Sequence, residues 1–224
     1  MSAGQDTSPQ ATEALEKLCR TYWYPLYAYI RRKGYTPEQA QDLTQEFFAR
    51  LLARHDIAHA NPNKGQFRSF LLGAMNHHLA YEWRKTQAAK RGGGATIVFL
   101  DDPTAEDRYR HEPCCELTPE KVYERRWALT LFDLALSRLQ QECGAAGKAQ
   151  QFEALKRFLS GEPGKGEYAL VGAGLQMNAQ MVAVTVHRLR QRYRELVREE
   201  VAQTVAHPAE LEAELRHLFQ VLRP

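Results

Sequence analysis

The chain has no apolar run approaching the ~20 residues that a membrane-spanning helix needs, and its opening MSAGQDTSPQ lacks the basic start and apolar centre of a secretory signal. Both absences argue against a membrane partner and predict a cytoplasmic protein. Cysteine is scarce: Cys19, Cys114, Cys115 and Cys143 form no C-x-x-C pair, and the adjacent Cys114 and Cys115 lack the spacing of a zinc site. His111 with Cys114 and Cys115 is a candidate for metal or redox chemistry, but no second ligand pair stands at a suitable spacing, so neither a metal nor a structural disulfide is expected. No Ser/His/Asp signature is present, and the run Gly92 to Gly94 lacks the flanking strand and helix of a phosphate-binding loop. His77 and His78 are neighbours and point in different directions on a helix. The chain is predicted to be no enzyme and to need no cofactor.

Strand-like alternation longer than four residues is also missing, as is any internal repeat, so the predicted fold class is all-α. The 224 residues, 44% hydrophobic and 25% charged, suit two helical domains rather than one, since a typical domain has ~100 to 150 residues. The formal net charge of +3 is too small to indicate nucleic-acid binding, but the charge is segregated along the chain. Basic residues gather in RKTQAAKR from Arg84 to Arg91, and between His187 and Arg198, where Arg188, Arg190, Arg192, Arg194 and Arg198 face one acid, Glu195. Between these patches Asp101, Asp102, Glu106, Asp107, Glu112, Glu116 and Glu120 outnumber Arg108 and Arg110, and the C-terminal tail is again acidic.

Residues 1–13 are polar and aperiodic, and predict a disordered end. Over 14–33 apolar residues recur at helical spacing and read as one or two helices, with Pro25 favouring a break. Thr36-Pro37-Glu38-Gln39 is a capping box that starts a helix to about Ala53, and Pro62 and Gly65 mark 54–65 as a loop. A long helix from Gln66 stops at the glycines, completing an N-terminal helical bundle over 14–91. The acidic, poorly periodic stretch 92–118 predicts an interdomain linker, with Ile97, Val98 and Phe99 as its apolar cluster. Thr118-Pro119 opens a second helical domain over 119–203, with helices expected from Thr118 and at about 148–160, 167–174 and 178–203. Residues 204–224 form an acidic closing segment, helical over about 208–222.

Three segments are candidates for function. Glu167 to Arg194 reads as helix, tight turn, helix, with Gly174 near the turn and Asn178 as N-cap. On its second helix Val182, Val186, Leu189, Tyr193 and Leu196 share one stripe. Gln180, Val184, His187, Arg188 and Gln191 lie opposite, where they can reach base edges, and Arg192 and Arg194 sit further along where phosphates would lie. An ordinary helical hairpin with solvated arginines fits the same spacing. In the second segment, Phe67, Phe70, Tyr81 and Trp83 are interleaved with Arg68, Asn76, His77, His78, Arg84 and Lys85, a composition suited to stacking unpaired bases and neutralising phosphates. Phe67 and Phe70 are expected in the core, while Tyr81 and Trp83 fit core or stacking equally. In the third, Ala40, Leu43, Phe47 and Leu51 turn inward and Asp42, Gln45, Glu46 and Ala49 outward, as either a solvated face or a docking stripe.

In their order these parts resemble a bacterial RNA polymerase sigma factor of the extracytoplasmic-function type, from about Leu15 to Leu222. Asp42, Leu43, Gln45, Glu46 and Phe48 are similar to that family's D-L-x-Q-E-x-F segment, GQFRSFLLGAMNHHLAYEWRK to its segment for the minus-ten element, and Val182, His187, Arg188 and Arg190 to the V…H-R-x-R of its minus-thirty-five domain. The resemblance implies that Asp42, Leu43, Gln45 and Glu46 dock on core RNA polymerase. It further implies that Arg68, Asn76, His77, Tyr81, Trp83, Arg84 and Lys85 meet melting promoter DNA, and that Gln180, Ala183, Val184, His187, Arg188, Gln191, Arg192 and Arg194 meet duplex. It implies two helical domains joined by an acidic linker that threads the polymerase cleft, promoter DNA as double-stranded and locally unpaired partner, the bacterial cytoplasm as location, and an anti-sigma factor as a further partner. The chain departs from the family pattern at Gly73, Ala74 and Asn76, where arginine is usual, at Leu170, where an acid is common, at Gly172, where alanine is common, and at Ala183 and Thr185, where basic residues often approach DNA. Two other readings fit the residues: a stand-alone helix-turn-helix regulator that binds duplex DNA without polymerase, and an adaptor that binds proteins through the acidic C-terminal helix.

Overall fold

In the computed structural model, which describes residues 9–53, 66–88, 104–110, 117–205 and 207–223, all regular structure is helical. The α-helices are α1 (Pro9–Arg32), α2 (Pro37–Ala53), α3 (Phe67–Ala88), α4 (Ala105–Arg110), α5 (Pro119–Ala145), α6 (Ala149–Leu155), α7 (Glu167–Leu175), α8 (Ala179–Ala202) and α9 (Leu211–Gln220). One 3-10 turn, Lys156–Phe158, extends α6, and another, Pro208–Glu210, leads into α9. The predicted start signals form as caps. Gln39 N–H donates to Thr36 Oγ1 at 3.3 Å while Thr36 N–H donates to Gln39 Oε1 at 3.0 Å, and Thr118 Oγ1 accepts from Lys121 N–H at 3.4 Å.

Three sequence expectations are corrected. The first helix starts at Pro9, inside the segment expected to be disordered, with proline at the helical entry where its missing N–H is not needed. It also continues through Pro25 without a break. An internal proline costs about 3 kcal/mol, but every residue from Thr21 to Ile30 is buried, and each large apolar side chain there contributes about 1.5 to 3 kcal/mol. The third concerns α4, a short helix inside the stretch expected to be a poorly periodic linker. Glu106 and Asp107 in its first turn and Arg108 and Arg110 in its last oppose the helix dipole favourably. Glu106 also accepts from Arg31 Nε at 2.9 Å, Arg31 Nη2 at 3.0 Å and the Tyr27 hydroxyl at 2.7 Å, which moors α4 to α1. The expected loop 54–65, the cluster Ile97 to Phe99, and His111, Cys114 and Cys115 lie outside the described residues.

Helix α5 is the common partner. Its first half packs along α1 and its second half against α8, and one apolar cluster runs from Cys19 and Tyr22 on α1 through Trp127 and Leu131 on α5 to Val197 on α8 and Leu218 on α9. A second, smaller cluster of Leu155, Phe158, Val182 and Val186 holds α6, α7 and α8 together. Arg138 on α5 reaches Glu199 and Glu200 of α8, both at 2.7 Å, and Arg192 of α8 grips Glu142 of α5 through two hydrogen bonds of 2.9 and 2.7 Å.

One interior ion pair closes the bundle. Arg68 of α3 is 4% exposed, lies over the Trp127 ring at 4.8 Å and donates to Glu214 of α9, which is 1% exposed. His217, one turn further along α9, meets Glu124 of α5 at 3.5 Å. Two charges removed from water are held here by each other, so losing one strands the other. Glu214→Ala is expected to cost about 3 to 5 kcal/mol of unfolding free energy, and the double variant Arg68→Met, Glu214→Leu to recover most of it. Denaturant titration checks both; equal losses in the single and double variants would rule out the stranded charge as the cause.

Candidate nucleic-acid interface

Helices α7 and α8 meet at 94° across a short turn, within the range of a helix-turn-helix. The sequence points to Gly174 near the turn, but α7 continues to Leu175 and the left-handed residue is Gln176, with φ of 55°. Gly172 is the glycine the crossing requires. It is buried, its carbonyl accepts from Met177 N–H at 2.9 Å, and a Cβ there would lie 2.4 Å from the Met177 carbonyl oxygen and 3.2 Å from Val182 Cγ2. The departure from alanine at this position therefore has a steric cause: the turn folds its own backbone onto α7. The Asn178 side chain then caps α8, accepting from Met181 N–H at 2.8 Å.

Along α8 the inward stripe consists of Val182, Val186, Leu196 and Val197, all buried. Gln180, Val184, His187, Arg188 and Gln191 are exposed on the other side, as the helical period predicts, and Ala183 is half-buried between the two. The arginines divide. Arg188 and Arg194 are exposed and make no ion pair among the described residues. Arg190 turns inward and donates through Nε to the Phe158 carbonyl at 2.8 Å and through Nη2 to the Gly161 carbonyl at 2.5 Å. Arg192, expected at the phosphates, is instead committed to Glu142, with Glu195 and Glu199 at 3.1 and 3.2 Å; the pairing raises its pKa further and holds the Glu142 carboxyl below its ordinary value.

On α3 the inward side is Leu71, Met75, His78 and Leu79, all buried. The opposite arc carries Asn76, His77, Tyr81, Trp83 and Arg84. Tyr81 and Trp83 are 50% and 60% exposed, which removes the core reading for both, whereas Phe67 and Phe70 pack on the core as expected. Asn76 accepts from the Tyr29 hydroxyl at 2.7 Å, Arg84 Nε donates to the Ala80 carbonyl at 3.1 Å, and Lys85 pairs with Glu82 at 3.3 Å. Arg68 does not join this surface. A guanidinium buried between Trp127 and Glu214 cannot meet DNA, contrary to what the sequence pattern suggests for Arg68.

A chain of charges links α2 to α3. Arg50 lies 2.7 Å from Glu46, 2.8 Å from Glu82 and 4.9 Å from the Tyr81 ring centre. His78 beside it is pushed to a lower pKa by burial and then by the Arg50 charge. Of the expected docking stripe, Asp42 is exposed, Gln45 is partly exposed, Leu43 leans on the core, and the Glu46 carboxylate is already paired. Searches against known protein families, curated proteins and solved structures find no match. Neither Phe219, 54% exposed, nor the groove of about 680 Å³ beside it, lined by Phe132, Tyr193, Val197 and Leu215, was expected from sequence; each residue's exposure depends on where α9 lies.

The tight crossing is testable. Gly172→Ala is expected to cost about 1 to 3 kcal/mol by overpacking, with hydrogen exchange accelerated in α7 and the first turns of α8 and unchanged in α1. Unaltered protection in α7 would mean that the turn absorbs the extra methyl group.

Proposed function

We propose that this chain is a transcription initiation factor of the kind it resembles, an extracytoplasmic-function sigma factor that binds core RNA polymerase and directs it to promoters. In this reading residues 14–91 and 119–203 are two reading units joined by the acidic stretch 92–118, and residues 204–224 close the second onto the first. The observation that carries the reading is the α7–α8 crossing at 94° with Gln180, His187 and Arg188 exposed opposite the buried Val182 and Val186. A second supports it: Tyr81 and Trp83 stand exposed beside Arg84 and Lys85, as a platform for unpaired bases requires. The work is binding and deformation of DNA, with no cofactor. An anti-sigma partner and a bacterial cytoplasmic location belong to the same reading.

The deciding experiment is co-elution with core polymerase, followed by transcription from a promoter library. Co-elution with promoter-selective transcripts is expected; duplex binding without polymerase association would instead identify a stand-alone regulator.

Two variants sharpen the assignment. Trp83→Ala should leave thermal stability within about 0.5 kcal/mol, as surface substitutions do, while promoter opening loses the ~1 to 3 kcal/mol of one stacked base. Unimpaired opening removes Trp83 from the site. Arg188→Ala should relax base preference at one or two positions and cost ~1 to 3 kcal/mol, whereas Arg194→Ala should weaken all sequences alike and lower the salt slope by about one. Titrations at several salt concentrations separate the two; identical behaviour of both variants would make α8 a non-specific phosphate binder.

A further inference from the structure

Tyr81, Trp83, Leu170, Met181, Val184 and Phe219 are the exposed large apolar side chains among the described residues. Met181 and Val184, 52% and 46% exposed, stand less than one turn apart at the start of α8. The helical period puts them on the side of Gln180, His187 and Arg188, and neither belongs to an apolar cluster of the fold. Valine is a poor choice for an exposed helix position, because its branched side chain is stiffened there. Among the described residues no apolar cluster takes in the pair. No acidic residue occurs between Ala179 and Arg194, so the surface around them suits a polyanion rather than a protein groove with cations of its own.

A helix presented by such a crossing enters the major groove, where base edges offer hydrogen-bond donors, acceptors and one apolar group, the C5 methyl of thymine. Resting on the reading of α8 as a duplex-binding helix, we infer that Met181 and Val184 are specificity-determining contacts to thymine methyl groups. The bound element carries thymine at one or two positions facing the first turns of α8, while Gln180 and Arg188 address neighbouring base edges.

The test uses the full chain, alone and with core polymerase, on duplexes selected from a random library. Each thymine of the selected element is replaced in turn by deoxyuridine, which removes the methyl group and leaves the pairing edge intact. At one or two positions the loss should weaken binding about fourfold, the worth of one buried methyl group. Val184→Ser and Met181→Gln, both at positions exposed in the fold, remove the apolar end of the side chain and should each abolish the sensitivity at the position they contact. Sequence-selective binding indifferent to every deoxyuridine, or equal sensitivity in wild type and both variants, overturns the methyl contacts alone and leaves this face to a protein partner. No duplex binding by either form overturns the duplex-reading assignment as well.

Discussion

A guanidinium cannot be buried alone, and the arrangement of this protein turns on how Arg68 is neutralised. Its partner is Glu214, 146 residues away on the last helix, and its ceiling is the indole of Trp127 on α5. Each contact fixes a different element against α3, so one interior charge ties α5 and α9 to the N-terminal helices alongside the apolar cluster they share with α1. Arg68 Nε and Glu214 Oε2 find no hydrogen-bond partner among the described residues, so the pair is incompletely satisfied. Such a pair stabilises little compared with an apolar filling; what it does is penalise every arrangement in which α9 leaves while Arg68 stays.

Helix α5 carries this constraint to the α7–α8 pair. Its first half is covered by α1, its second by α8, and two ion networks, Arg138 with Glu199 and Glu200 and Arg192 with Glu142, set the register of α8. The small cluster around Phe158 and Val186 gives α6 to α8 a core of their own. The crossing of α7 and α8 is thus set locally by the close approach at Gly172 and the Asn178 cap, and α8 is positioned through α5. That combination leaves one side of the first turns of α8 exposed while the other packs on α7 and α6.

The electrostatics of α8 depend on which arginines are already occupied. Arg190 and Arg192 serve the fold, one on backbone carbonyls and one on carboxylates, so the cationic surface is smaller than the run of arginines suggests. The same holds on α2, where Glu46 belongs to the Arg50 cluster and Asp42 remains as the exposed acid of the stripe. Surface apolar groups then carry more of the distinctiveness: Tyr81 and Trp83 on α3, Met181 and Val184 on α8.

Local rules alone determined much of this molecule. The box at Thr36 and Gln39, the caps at Thr118 and Asn178, and the alternation of Val182 and Val186 with Gln180 and His187 depend on residues within a turn or two of each other, so periodicity and hydrogen-bonding chemistry predict them. What required the tertiary structure was every choice between equivalent neighbours. Whether Pro25 breaks α1 depends on how completely α1 is buried, and whether Glu106 stands in a linker or a helix depends on Arg31, 75 residues before it. Arg192 and Arg194 look alike in the sequence, and only the approach of Glu142, 50 residues earlier, removes one of them from the surface. Arg68 and Trp83 lie on one helix in a similar composition, yet one is sealed beneath α9 and the other faces water, because partners brought together by the path of the chain leave no periodic trace.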